Sequence, residues 1–274
     1  MRKLRLVFLA ATSLIGMAAL QSFAPAPEDR SLIHIERASV RYREPGEFIE
    51  GTRPVNGPIG EIVVEKPFSI MKRQVTRGVE EHCVDTHAGQ ALVGNEDPSV
   101  PAGGVRCNDA GGSRPGLSRE TGQNWRLPTD REWALAAGSR YRDDAYTEIS
   151  DPANPSRRWI ATYNAEAAAE QTIDPAPKPT GTFGENEHGL LDLSGNVWEW
   201  TSTCYVRHRT NPAAGTATEV ENCGVRIAEG RHRAYMTGFF RDPKAGACSV
   251  GIPPANLGMR LVHGGGRLRE WLGL

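Results

Sequence analysis

The sequence predicts a loop-rich globular domain built from short strands and few helices, and three observations predict it. Thirty glycines and nineteen prolines place turns throughout the chain and argue against a helical bundle. The stretch "EIVVEKPFSIMKRQVT" alternates apolar and polar residues around Ile62, Val64, Phe68 and Ile70, the period of half-buried strands. The clearest helix start lies in "NWRLPTDREWALAAGSR", a run with room for little more than two turns. The chain is 39% hydrophobic and 24% charged with a formal net charge of -1. Those are ordinary globular values, and the neutral balance argues against nucleic acid or an anionic membrane as a partner.

The first residues read as an export signal. Arg2, Lys3 and Arg5 form a basic head, residues 6–20 an apolar middle, and Ser22-Phe23-Ala24 a small-x-small cleavage site before "PAPEDR". The apolar run falls short of the ~20 residues that span a bilayer, so no membrane attachment is expected after cleavage. Four segments follow: a signal peptide at 1–24, an N-terminal extension with a first strand at 25–57, the main domain at 58–264 and a tail at 265–274. The mature chain is expected in a periplasm or secreted.

"EIVVEKPFSIMKRQVT" should form two short strands broken at Pro67. Thr76 can cap a helix running into "EEHCVDTHAG". His82, Cys83, Asp85 and His87 in that run are weak metal candidates, because imidazoles five apart lie on different helical faces. Residues 88–116 read as loop. Thr129 and Glu132 then make a T-x-x-E capping box, with Trp133, Ala136 and Ala137 on one helical face and Gly138 as a stop. Residues 139–179 read as irregular. In "GLLDLSGNVWEW", residues 189–200, Trp198 and Trp200 share one strand face and Val197 and Glu199 the other. The end of the chain reads as a strand, a loop and a final strand.

Five cysteines in an oxidising compartment leave at least one unpaired. Cys204 and Cys223 bracket "CYVRHRTNPAAGTATEVENC", read as a long polar excursion that a disulfide would staple. Cys83 with Cys107 is a second candidate pair. Cys248 is then left over, a candidate redox or nucleophilic thiol beside Arg241 and Lys244. From the basic set Arg226, Arg231, Arg233 and Arg241, Arg233 and Arg241 are candidate contacts for an anionic ligand or acidic peptide.

Three stretches carry a resemblance. "NWRLPTDREWALAAG", "GTFGENEHGLLDLSGNVWEWTS" and "NLGMRLV" resemble, in order, three signatures of the formylglycine-generating enzyme, or sulfatase-modifying factor, superfamily, and the likeness spans residues 62–262. It implies an α+β fold, a variant of the C-type-lectin-like fold with little regular secondary structure. It also implies a structural calcium ion. Carried over, the ligands would be the Asp192 side chain, the Gly195 and Val197 carbonyls and the Glu199 carboxylate, oxygen donors of the kind calcium takes. Gly195 is expected to supply backbone freedom to this turn.

The resemblance fails at one place. Oxidising members hold copper(I) between two cysteines, soft ligands for a soft ion. Here Asp242 and Ala247 stand at about those positions and Cys248 lies one step away. A single thiol cannot build that two-sulfur centre, so copper is not expected. Three functions remain: a maturation or accessory factor for an exported protein or peptide client, similar to the pyoverdine-maturation branch; an oxidase with an altered site at Cys248; or a non-catalytic lectin-like binding module on a calcium-stiffened frame. The ending also resembles members that accompany copper nitrite reductases.

Overall fold

In a computed structural model the described residues are 32–79, 97–103, 124–143, 176–237 and 256–263, with five helical positions between 157 and 168. Among the described residues the elements with full bounds order as β1 Leu32–Ile35, β2 Ser39–Arg43, β3 Glu47–Glu50, β4 Arg53–Val55, β5 Ile59–Val63, β6 Phe68–Met71, β7 Trp125–Arg126, α1 Asp130–Ala137, β8 Trp198–Asn211, β9 Thr216–Glu229, β10 Arg233–Thr237, β11 Leu257–Gly258 and β12 Val262–His263. Most are two to five residues long, as the glycine and proline content predicts.

The strands form three sheets. One runs β1-β6-β12-β7, a second runs β10-β9-β8-β3-β4 with β11 on β8, and β2 pairs with β5 alone. β5 and β6 are separate strands on either side of Pro67 and join different sheets, as predicted. β12, the end of the third signature, inserts between β6 and β7: Val262 pairs with both Ile70 and Arg126. β12 thus joins a sheet whose first strand, β1, begins at Leu32.

Strands before residue 58 pair with strands that follow it. β1 pairs with β6, β2 with β5, and β3 with β8. Ile35 and Tyr42 are buried in the core. Strands this short carry too few alternations to be read from sequence, and β1, β2 and β3 are held by partners 16 to 160 residues away.

α1 forms where the capping box predicts. The Thr129 hydroxyl accepts from the Glu132 amide, and the Glu132 carboxylate accepts from the Thr129 amide at 2.8 Å. Arg126 grips the same carboxylate with both Nη atoms, at 2.6 and 2.7 Å. Burial raises the Glu132 carboxyl, but the Arg126 bonds outweigh it and hold the group below its usual range. Trp133, Ala134, Ala136 and Ala137 are fully buried. With Ile35, Tyr42, Ile70, Leu190, Leu193 and Val262 they fill one half of the core. Trp125, Leu127, Trp200, Met259 and Leu261 fill the other. At Thr76 a helical turn begins at Arg77; its continuation, with His82, Cys83, Asp85 and His87, lies outside the described residues, as does Cys107.

Residues 204–223 are not a loop. They are the outer part of a hairpin of two 14-residue strands, β8 and β9, turning at 212–215. Thr216, Thr218 and Val220 supply the β-branched alternation that composition alone obscured. The predicted disulfide joins Cys204 to Cys223 across it.

Candidate functional site

The segment 189–200 folds as a turn leading into β8. Three non-glycine residues in it, Asp192, Ser194 and Asn196, adopt φ near +60°. L-residues rarely take this conformation, and short polar side chains that bond locally are the ones that tolerate it. Each is held by its own side chain. The Asp192 carboxylate accepts from the amides of Gly181 at 2.5 Å and Phe183 at 2.8 Å. The Ser194 hydroxyl donates to the Arg140 carbonyl at 2.5 Å. The Asn196 amide brackets Lys178, donating to its carbonyl and accepting from its N–H. Gly195 is required for a different reason than predicted: its φ is ordinary, but a Cβ there would sit 2.9 Å from the Phe183 ring. Close packing, not backbone freedom, selects glycine.

Glu199 follows on β8, fully buried. Its Oε1 accepts from Gln74 at 2.9 Å and Arg260 Nη2 at 3.0 Å, and its Oε2 from the Trp133 indole at 2.8 Å and Arg260 Nε at 3.0 Å. Arg260 also donates to the carbonyls of Met71, Lys72 and Leu191. All three family signatures meet at this one carboxylate: Trp133 from the first, Glu199 from the second, Arg260 from the third. Val197 and Trp200 are buried on opposite faces of the strand, so both faces are core.

These contacts do not fit the calcium shell that the resemblance implies. Four N–H donors, two of them from a guanidinium, saturate the Glu199 oxygens, and a divalent cation there would have to displace Arg260. Asp192 is turned to the amides of residues 181 and 183. Asp192, Gly195 and Val197 without Glu199 fall well short of the roughly six to eight oxygens calcium takes. Accordingly, wild-type protein is expected to melt at the same temperature in millimolar calcium as in EDTA. A calcium-dependent rise of several degrees in a thermal scan would reinstate the ion.

Arg233, predicted to meet an anionic ligand, is 1% exposed and committed to the protein interior. Its Nε donates to Glu229 at 3.0 Å, Nη1 to the Arg43 carbonyl at 2.8 Å, and Nη2 to Asp130 at 2.7 Å and the Tyr141 hydroxyl. Tyr42 donates to the same Asp130 oxygen at 2.5 Å. The guanidinium lies over the Tyr42 ring, 4.9 Å from its centroid. Burial lowers the Arg233 pKa, but Asp130 and Glu229 outweigh it and hold the group charged. Burial, then the neighbouring Asp130, push Glu229 well above the usual carboxylate range. Asp130 Oδ1 and Glu229 Oε2 are buried and accept from no N–H or O–H donor.

Sequence reasoning placed Arg233 at the surface because a basic residue on a strand usually is, and its partners lie up to 190 residues away. Arg231, two positions earlier, points elsewhere. It lines a cavity of about 360 Å³ with Arg140, Arg142, Phe183, Leu193, Ser194 and Gly195. Arg140 and Arg142 fall in the stretch read as irregular, where nothing marked them. Cys248 and Arg241, with Asp242 and Ala247, lie outside the described residues. Among the described residues the two cysteines are disulfide-bonded.

Comparison with known proteins agrees with this geometry. The family described as "Sulfatase-modifying factor enzyme 1-like domain" matches residues 36–264. The mouse protein named inactive C-alpha-formylglycine-generating enzyme 2 is 29% identical over 181 residues, 64% of this chain and 53% of its own length. The formylglycine-generating enzyme of Mycobacterium tuberculosis is 37% identical over 93 residues, 32% of this chain and 30% of its own. The chain therefore spans about half, or less, of the curated relatives it matches. The structure of PvdO from Pseudomonas aeruginosa superposes with a TM-score of 0.50 at 19% identity, covering 85% of this chain and 93% of that one. That likeness shows the fold. With a family match running through nearly all the described strands, and the three signatures converging on Glu199, this chain belongs to the sulfatase-modifying factor enzyme 1-like, or formylglycine-generating-enzyme-like, family.

Proposed function

We propose that this protein is an exported, non-oxidising member of its family that serves as an accessory or maturation factor for an exported protein or peptide client. One observation carries the reading: Asp242 and Ala247 stand at about the positions where oxidising members place their two copper-binding cysteines. Aspartate and alanine supply no soft donor for copper(I). The similarity to a relative named as inactive supports the same conclusion. The basic and apolar start of the chain and the Cys204–Cys223 disulfide support export to an oxidising compartment. What the fold offers in place of an oxidation centre is a loop-built surface on a buried ionic frame, suited to holding a client.

Two measurements test this. Incubated with copper(I), oxygen and a cysteine-containing sulfatase peptide, the protein is expected to form no aldehyde beyond the protein-free control, read by hydrazide labelling and mass. Aldehyde that disappears in Cys248→Ala would establish the altered oxidase instead. The exported proteome of the host with and without the chain should differ in the processing or activity of at least one exported protein. An unchanged exported proteome would remove the client reading.

A further inference from the structure

We propose that the cavity bounded by Arg140, Arg142 and Arg231 is an oxyanion-binding site. Three guanidinium groups line one space of about 360 Å³, together with Phe183, Leu193, Ser194 and Gly195. Among the described residues no carboxylate pairs with any of the three. By contrast, Arg43, Arg126, Arg131, Arg207, Arg233 and Arg260 are each matched to an acid. Concentrated positive charge that no neighbouring acid compensates, gathered around one open depression, favours an anion from outside.

The donors are arranged to match. Arg231 packs its guanidinium over the Trp198 ring, 5.0 Å from the centroid, and its Nη1 is buried without an acceptor. The neighbouring Trp198 Nε1 is buried without one too. A buried donor left unsatisfied costs about 1–3 kcal/mol, so Arg231, which lines the space while Trp198 only backs it, is the side chain at which an acceptor belongs. The backbone leaves room for this stack: a Cβ on Gly230 would lie 2.9 Å from the Trp198 ring. Arg140 is immobilised by the carbonyls of Phe183, Gly184, Glu185 and Leu193. It therefore supplies fixed charge at the cavity wall. Arg142 is exposed and anchored through one Nη1 to the carbonyls of Ser139 and Tyr141. A guanidinium fork suits the spacing of carboxylate, sulfate or phosphate oxygens, and Phe183 and Leu193 give an attached organic group an apolar wall. The site does not depend on the client reading, since a free ion and an acidic side chain of a client present the same oxygens.

Isothermal titration of the mature chain with sulfate, phosphate and a terminally blocked glutamate peptide, at ionic strength matched with sodium chloride, tests the site. At least one probe is expected to saturate at one equivalent. Arg231→Gln and Arg142→Gln should each weaken it about tenfold or more, the loss of a charge-assisted bond. Tighter binding of the peptide than of either ion would assign the oxygens to an acidic client; the reverse would assign them to a free ion. Absence of saturable binding by all three probes, or affinities unchanged in both variants, would overturn the proposal. Near-UV circular dichroism checks the fold of each variant, and the exposed Arg142→Gln carries the test should Arg231→Gln misfold.

Discussion

Replacing Arg260 with methionine is expected to cost about 3–5 kcal/mol of stability. The reason is geometric. Arg260 neutralises Glu199 with two bonds and satisfies three backbone carbonyls, those of Met71, Lys72 and Leu191. Methionine fills similar volume but leaves a buried carboxylate with only Gln74 and the Trp133 indole, and takes a donor from three carbonyls, of which that of Lys72 keeps the Leu191 amide. At roughly 2–4 °C per kcal/mol for a domain of this size, the melting temperature should fall by roughly 6–20 °C. Arg260→Lys keeps the charge but not the fork and should fall between the two. The double variant Arg260→Met with Glu199→Leu should recover part of the loss, because paired ions replaced together cost less than one left alone. Thermal and urea unfolding measure all three; a loss below 1 kcal/mol in Arg260→Met would show that the pair is not what holds the three signatures together.

The second large effect belongs to Arg233. Arg233→Met removes the cation between Asp130 and Glu229 and four hydrogen bonds, and should also cost about 3–5 kcal/mol. Asp130→Asn in the same chain should restore part of it. The cluster also sets a pH dependence. The folded-state pKa of Glu229 is raised above the unfolded value, first by burial and then by Asp130. Its stabilising contribution is therefore complete below the ordinary glutamate pKa of 4.5 and is lost as pH rises through the folded value. Wild-type stability should fall with rising pH more steeply than that of Glu229→Gln, which keeps the neutral form at every pH. Melting curves of the two proteins between pH 5 and pH 9 that stay parallel would reject the raised Glu229 carboxyl.

Local chemistry was legible in the sequence and long-range pairing was not. The capping box at Thr129 and Glu132, the break at Pro67 and the bond between Cys204 and Cys223 rest on residues close in the chain or on a shared hairpin, and the structure has all three. The family signatures were equally readable, yet their joint meaning was not. Glu199 reads as a ligand because the family resemblance implies calcium at this turn, and an acidic oxygen suits a hard cation. Only Arg260, 61 residues away, shows that the partner is a guanidinium. Arg233 and Arg231 differ by two positions on one basic tract, and nothing in the tract tells which faces Asp130 and which faces a cavity. The hairpin hid for the opposite reason: its threonines and glutamates look like loop until they are paired strand to strand.

That hairpin has a consequence for the integrity of the chain. The disulfide closes a ring around the turn at residues 212–215, and the strand residues beside the turn are exposed. A peptidase in the surrounding medium that nicked the turn would leave two polypeptides still covalently tied, with β8 and β9 in register and neither half of the core opened. A cut at this exposed tip is thus one the chain survives, so long as the two sulfurs stay oxidised.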